Sequence, residues 1–189
     1  DVVETKPMYE RPVMVYFAGT VMKEPQMAAL NMRVDIMKTL TGVPGWYVHD
    51  MHDGQNNGAD AERKKFTDAG QVVTNFDMST ANFCLAPQGT SGGWTVREIN
   101  GIKAGCIPVY MQPRVTTYFE EYLPRNLYQI ALPYEEEEVR RLIPELPKRI
   151  ADTWENRTEV LRLRKQGRCA CLHLQTSNYG MKGEEWWDP

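Results

Sequence analysis

The residues from Ser79 to Tyr110, STANFCLAPQGTSGGWTVREINGIKAGCIPVY, constrain the fold more than any other part of the chain. They run from a buried-type strand (Phe83 to Ala86) through a Pro- and Gly-rich turn (Pro87 to Gly93) into a helix-forming segment with Arg97 near its start. A second apolar strand (Cys106 to Met111) follows. A strand that empties into a glycine loop and then a helix directs several backbone N–H groups at one point, where the helix dipole adds partial positive charge. Such a point suits an anion, a diphosphate above all. The alternative is a structural turn with a solvent-exposed Arg97, and these residues alone do not choose between the two.

The turn is not a Walker motif, because it lacks the Gly-Lys-Ser/Thr ending, and it does not read G-x-G-x-x-G as a dinucleotide fingerprint would. What remains is Gly89, Thr90, Ser91, Gly92 and Gly93 ahead of a helix from Trp94 to Ala104, with Ser91 or Thr95 placed to cap it. Arg97 projects from the first turns, and its planar fork of donors matches phosphate oxygens.

The flanking sequence alternates strand and helix signals. Val13 to Phe17 is a β-branched and aromatic run closed by Gly19. From Pro25 to Leu40 the apolar residues Leu30, Val34, Met37 and Leu40 recur at helical spacing, with Gly42 as a stop. Trp46 to His49 reads as a strand, and Asp50 to Gly58 as a polar loop. Ala59 to Ala69 is a charged helix, followed by a strand fragment at Val72 and Val73. Past the central unit come a short helix (Thr116 to Tyr122), a strand (Leu127 to Leu132) and a helix (Glu135 to Ile143) with carboxylates in its first turn. One long helix spans Glu145 to about Lys165, bent at Pro147, and residues 166–189 form an irregular tail. The expectation is a single α/β domain over residues 1–189, a Rossmann-like parallel sheet with helices on both faces. Its ligand crevice lies at the carboxyl ends of the strands, where Gly19 and the Pro87 to Gly93 turn both fall.

Composition narrows the function. A net charge of -3 and a pI near 5.7 argue against a nucleic-acid partner. The basic residues from Arg157 to Arg168 surround Val160, Leu161 and Leu163 and suit the polar face of a helix. No apolar run reaches the roughly 20 residues a membrane helix needs. The chain starts at Asp1 with no signal peptide ahead of its first strand, which reads as a processed product or an excised piece. Cys84 and Cys106 fall in core strands and read as small hydrophobes, whereas Cys169 and Cys171 read as a disulfide or free thiols. His49, Asp50, His52 and Asp53 form a cluster that reads as a polar loop ahead of a metal site, so no metal is expected. Trp186 and Trp187 read as packing residues, and Asn156-Arg157-Thr158 fits the N-glycosylation pattern inside the predicted C-terminal helix.

The joint pattern S-x-F-C-L-x-P-x-G, a hydroxyl residue two before an Arg, and then Gly-Cys-Ile-Pro-Val resembles the exostosin family of glycosyltransferases. Here it is carried by Phe83-Cys84-Leu85, Pro87, Gly89, Thr95, Arg97 and Gly105-Cys106-Ile107-Pro108-Val109. Tyr16-Phe17-Ala18-Gly19, with Arg33 in the following helix, also resembles the family's Tyr-Phe-x-Gly and downstream Arg. The resemblance implies an inverting glycosyltransferase of the GT-B architecture, with this chain as the C-terminal, donor-binding half. Gly19, Arg33, Gly89, Ser91, Thr95, Arg97 and Asn100 would then hold a nucleotide-sugar, usually a UDP-sugar, as substrate with no cofactor or metal. The acceptor would be a polysaccharide or glycoprotein in the Golgi lumen, met by an N-terminal acceptor domain or partner chain that also brings the catalytic base. Asn100 stands where the family usually has Glu or Asp, and Ala81 where it has Ser. Asn100 therefore motivates a second reading, a degenerate, non-catalytic domain serving as a binding or scaffold module. A third is a different nucleotide enzyme on the same sheet.

Overall fold

The structure, a computed structural model, describes residues 7–21, 32–50, 78–89, 96–116 and 120–174, with residues 172–174 by backbone only. Outside them lie the first part of the helix expected from Pro25, the loop beyond Asp50, the helix from Ala59 to Ala69, the Val72 and Val73 fragment, and residues 175–189. Five strands, β1 (Val13–Gly19), β2 (Trp46–Asp50), β3 (Ala81–Pro87), β4 (Ile107–Met111) and β5 (Ile130–Ala131), form one sheet. All pairings are parallel, in the order β2-β1-β3-β4-β5. The helices are α1 (Met32–Leu40), α2 (Arg97–Lys103), α3 (Glu136–Leu142), α4 (Leu146–Glu155) and α5 (Arg157–Leu174). This is the α/β, Rossmann-like architecture the strand and helix alternation implies.

The apolar runs of β3 and β4 have a direct cause, since every residue of both strands is buried. Strands covered on both faces have no solvent side on which to place polar residues. Val15, Phe17, Phe83, Leu85 and Val109 point to one face and pack against α1, α3, α4 and the start of α5 through Ile36, Val139, Ile150 and Val160. Tyr16, Ala18 and Cys84 point to the other face, where Ala104 and Cys106 meet them at the end of α2. Farther along that face Ile102 of α2 packs with Tyr128 and with Ala170 and Cys171 of α5. Thus α1 and α2 sit on opposite sides of the sheet, as right-handed crossovers leaving its centre in opposite directions require.

Two interactions fasten α2 over the seam between β3 and β4. Cys84 and Cys106 form a disulfide with a Cα–Cα distance of 5.9 Å, which corrects the reading of both as isolated small hydrophobes. Cys84 registers opposite Pro108, so Cys106, two residues earlier, puts its side chain on the same face within bridging reach. Beneath it Arg11, 5% exposed, donates through Nη1 to the carbonyls of Ala81 (2.8 Å) and Gly105 (2.9 Å). Gly105 ends the α2 turn at φ 70°, and a Cβ there would meet Arg11 Nη2 at 2.7 Å, so only glycine fits.

Other expectations shift. The helix predicted from Glu145 to Lys165 divides at Asn156, and Pro147 lies in the first turn of α4, where a missing N–H costs nothing, so it makes no bend. Of the helix predicted from Thr116 to Tyr122, residues 117–119 lie outside the described residues and 120–122 form a turn, and the strand expected from Leu127 shrinks to Ile130–Ala131 behind a 3-10 turn, Arg125–Leu127. Cys169 and Cys171 are free thiols, the second buried. The basic run lies along α5 as expected, with Val160 and Leu163 buried, while Leu161 is exposed and Arg162 pairs with Glu159 at 2.7 Å.

The disulfide closes a loop with a sequence separation of 22 residues. Replacing both cysteines by Ala should lower the unfolding free energy by about 3 kcal/mol, from restored freedom of the unfolded chain. Urea denaturation of the double variant against the oxidised parent reads this, and equal midpoints would show that the bond adds nothing.

Candidate functional site at the strand carboxyl ends

The chain leaves β1 toward β2 on one side and leaves β3 toward β4 on the other, so the sheet order reverses between β1 and β3. A crevice opens at such a point, outside the carboxyl ends of the two strands. Gly19 ends β1 there and Pro87 ends β3.

The turn after β1 is held from two sides. Asp50, the last residue of β2, accepts the Val21 N–H at Oδ1 (3.0 Å). Arg33, near the start of α1 and 8% exposed, donates from Nη1 to the Thr20 carbonyl (3.0 Å). From the far wall comes Arg97, whose guanidinium lies over the Phe17 ring, 5.3 Å from its centroid. A Cβ built on Gly19 would sit 3.0 Å from Arg97 Nη2 and 2.8 Å from the Phe17 ring. Gly19 is therefore the gap through which the arginine reaches the backbone of β1.

Two guanidinium groups thus converge on one short turn. Burial, joined by the charge of Arg97, lowers the Arg33 pKa to about 10, and burial lowers that of Arg97 while Tyr16 opposes the shift. At neutral pH Arg33 stays protonated, with a charge made costly by its surroundings. A polyanion between the two groups lowers that cost, and the forked geometry of each suits a phosphate.

Of the site residues expected from sequence, the structure brings Gly19, Arg33 and Arg97 together. Gly89 lies just past β3, partly buried beside Gln88, whose N–H donates to the Met111 carbonyl (3.1 Å). Asn100 is partly buried on α2 three residues beyond Arg97, on the same side of the helix. Ser91 and Thr95 lie outside the described residues. His49 and Asp50 are described and His52 and Asp53 are not; among the described residues no group of three His, Cys, Asp or Glu is placed to hold a metal ion.

Sequence reasoning missed three contributors. Asp50 was grouped with the histidines, although an acid at the carboxyl end of a central strand is already a crevice signal. Phe17 reads from the sequence as part of the first strand and of the Tyr-Phe-x-Gly pattern, without a contact to Arg97. Glu98 faces away from Asn100 around the helix and carries no sequence signal of its own, yet it is 1% exposed and accepts the Tyr128 hydroxyl at Oε1 (2.7 Å). The charge of Glu98, after burial, raises the pKa of the Tyr110 phenol, which donates to the Val115 carbonyl (3.2 Å). Glu98 thereby ties the start of α2 to the segment before β5 on the same face of the sheet. No sequence spacing pairs residues 98 and 128 in advance.

The fold is that of a Rossmann-like α/β domain with two arginines at the switch point of its parallel sheet. Within that class the assignment is direct: residues 3–150 match the Exostosin GT47 domain, and the chain belongs to that family. No curated protein matches the chain.

Gly19→Ala should destabilise the fold by about 1–3 kcal/mol, because the added methyl must displace a buried aromatic ring and a guanidinium. Equilibrium urea unfolding tests this; a neutral change would mean that Phe17 and Arg97 can both yield.

Proposed function

We propose that this chain is the donor-binding half of an inverting glycosyltransferase that takes a UDP-sugar and delivers the sugar to a polysaccharide or glycoprotein acceptor. The observation that carries the reading is the convergence of Arg33 and Arg97 on the Gly19 turn at the point where the sheet order reverses. Membership of the exostosin family supports glycosyl transfer as the chemistry. The diphosphate of the donor lies between the two guanidinium groups, with Gly19 allowing the backbone to come close. Gly89 borders it from the β3 side and Asn100 meets the ribose, while Ser91 and Thr95, outside the described residues, remain candidates from the sequence alone.

In this reading the acceptor hydroxyl attacks the anomeric carbon from the face opposite the diphosphate. The bond from that carbon to the diphosphate oxygen breaks, and the configuration inverts. Negative charge grows on the departing UDP, and preorganised cations at that spot favour the transition state over the ground state. Arg33 and Arg97 supply positive charge where other transferases use a metal ion. The proton of the attacking hydroxyl passes to a base on an acceptor domain or partner chain. The Cys84–Cys106 disulfide supports a secretory setting such as the Golgi lumen, because such bonds persist in oxidising compartments.

Calorimetric titration with UDP is the test. Arg97→Ala should weaken binding by roughly 10- to 100-fold, the loss of one charge-assisted contact of about 1.5–3 kcal/mol; unchanged affinity removes Arg97 from the site. UDP should also raise the melting temperature of the parent, since it binds only the folded state.

Asn100 favours a second reading, a degenerate domain that pairs with another polypeptide and transfers nothing. An amide accepts a ribose hydroxyl with one neutral oxygen, where a carboxylate offers two charged ones. Under the transferase reading the chain together with its acceptor domain turns over a UDP-sugar, and Asn100→Glu strengthens donor binding. Absence of turnover in both parent and Asn100→Glu, with UDP still bound, would favour the scaffold.

A further inference from the structure

We propose that Asn156 is an N-glycosylation site. The proposal rests on the secretory placement argued above for access to the lumen, and it is independent of the donor crevice. Asn156-Arg157-Thr158 is the sole Asn-x-Ser/Thr tripeptide in the sequence. Asn156 itself lies outside any helix, while Arg157 and Thr158 open α5. Helix α4 ends at Glu155 and α5 begins at Arg157, with Asn156 between them at φ -80° and ψ 81°. All three residues are exposed.

The two ends of the Asn156 amide serve different purposes. Oδ1 accepts the backbone N–H of Glu159 (3.2 Å) and so satisfies one of the donors that every helix start leaves open. Nδ2 is the atom that takes a sugar. Glycosylation therefore leaves the α5 cap in place. In the covalent step Nδ2 attacks C1 of an oligosaccharide carried on a lipid diphosphate. The N–C1 bond forms, the C1–O bond breaks with its electron pair passing to the departing lipid diphosphate, and the amide nitrogen gives one proton to a base of the oligosaccharide-transferring enzyme. No oxidant or reductant takes part.

The position also keeps a glycan clear of the crevice. The Arg157 guanidinium lies over the rings of Tyr9 (4.1 Å) and Trp154 (4.6 Å). Tyr9 precedes β1, at the amino end of the sheet, whereas Gly19 and Arg97 mark its carboxyl end. A sugar chain at this joint leaves donor binding unchanged.

The full-length protein is produced in cultured animal cells behind an added, cleavable secretion signal. The expected result is a single mobility shift that peptide-N-glycosidase removes, with Asn156 converted to Asp in the released peptide. Thr158→Ala should abolish the shift and leave the deglycosylated melting temperature unchanged, because the cap remains. Asn156→Gln should abolish the shift and also lower that temperature, because the cap is lost. Secreted protein with the Cys84–Cys106 bond formed and Asn156 unmodified overturns the proposal, as does a shift that survives Thr158→Ala. A parallel production without the added signal reports on the compartment. Exclusion from the lumen there overturns the secretory placement, while occupancy in the first arm still decides the site.

Discussion

The crevice depends on how firmly α2 is seated across β3 and β4. Arg97 opens that helix, and a guanidinium can be aimed to within an ångström only if the helix beneath it does not rock. The disulfide, the Arg11 hydrogen bonds and the Glu98–Tyr128 contact grip three separate points: the floor under its last turn, the strand beside it and its buried flank. Each is short, buried and tied to backbone or to a ring with little freedom. Together they make the direction of Arg97 a property of the sheet.

The opposite wall is built by different means. Arg33 belongs to α1, on the other face, and reaches the crevice over the end of β1. The two arginines therefore come from two layers that meet only at the switch point, so the positive field there exists only once the sheet is assembled. Asp50 accepts from the Val21 amide and Glu98 from Tyr128, and Asp35 and Glu136 pair with Arg140 between α1 and α3.

Much of this was legible in the sequence because its signals are local. Strands β1 and β3 announce themselves as apolar runs ending in Gly19 and Pro87, and the placement of Gly19 and Arg97 at one end follows from strand direction alone. Pairings between distant residues were not legible. Nothing about Cys84 and Cys106 as single residues distinguishes a bonded pair from two buried thiols until the β3–β4 register is known. Glu98 and Tyr128 meet only because α2 and the segment before β5 share a face. The division of the C-terminal helix had a local signal that went unread: Asn156 followed three residues later by Glu159 is a helix-start pattern, and no proline was needed to break the chain there.

The short span of the Cys84–Cys106 link also bears on the order in which the molecule matures. Both thiols emerge within one strand–helix–strand unit, so oxidation can seal that unit while everything after β4 is still being synthesised. The later segments, α3 to α5, then condense onto a platform whose geometry is already fixed. Birth order along the polypeptide thus protects the edge that carries Arg97 from the slower settling of its C-terminal cover.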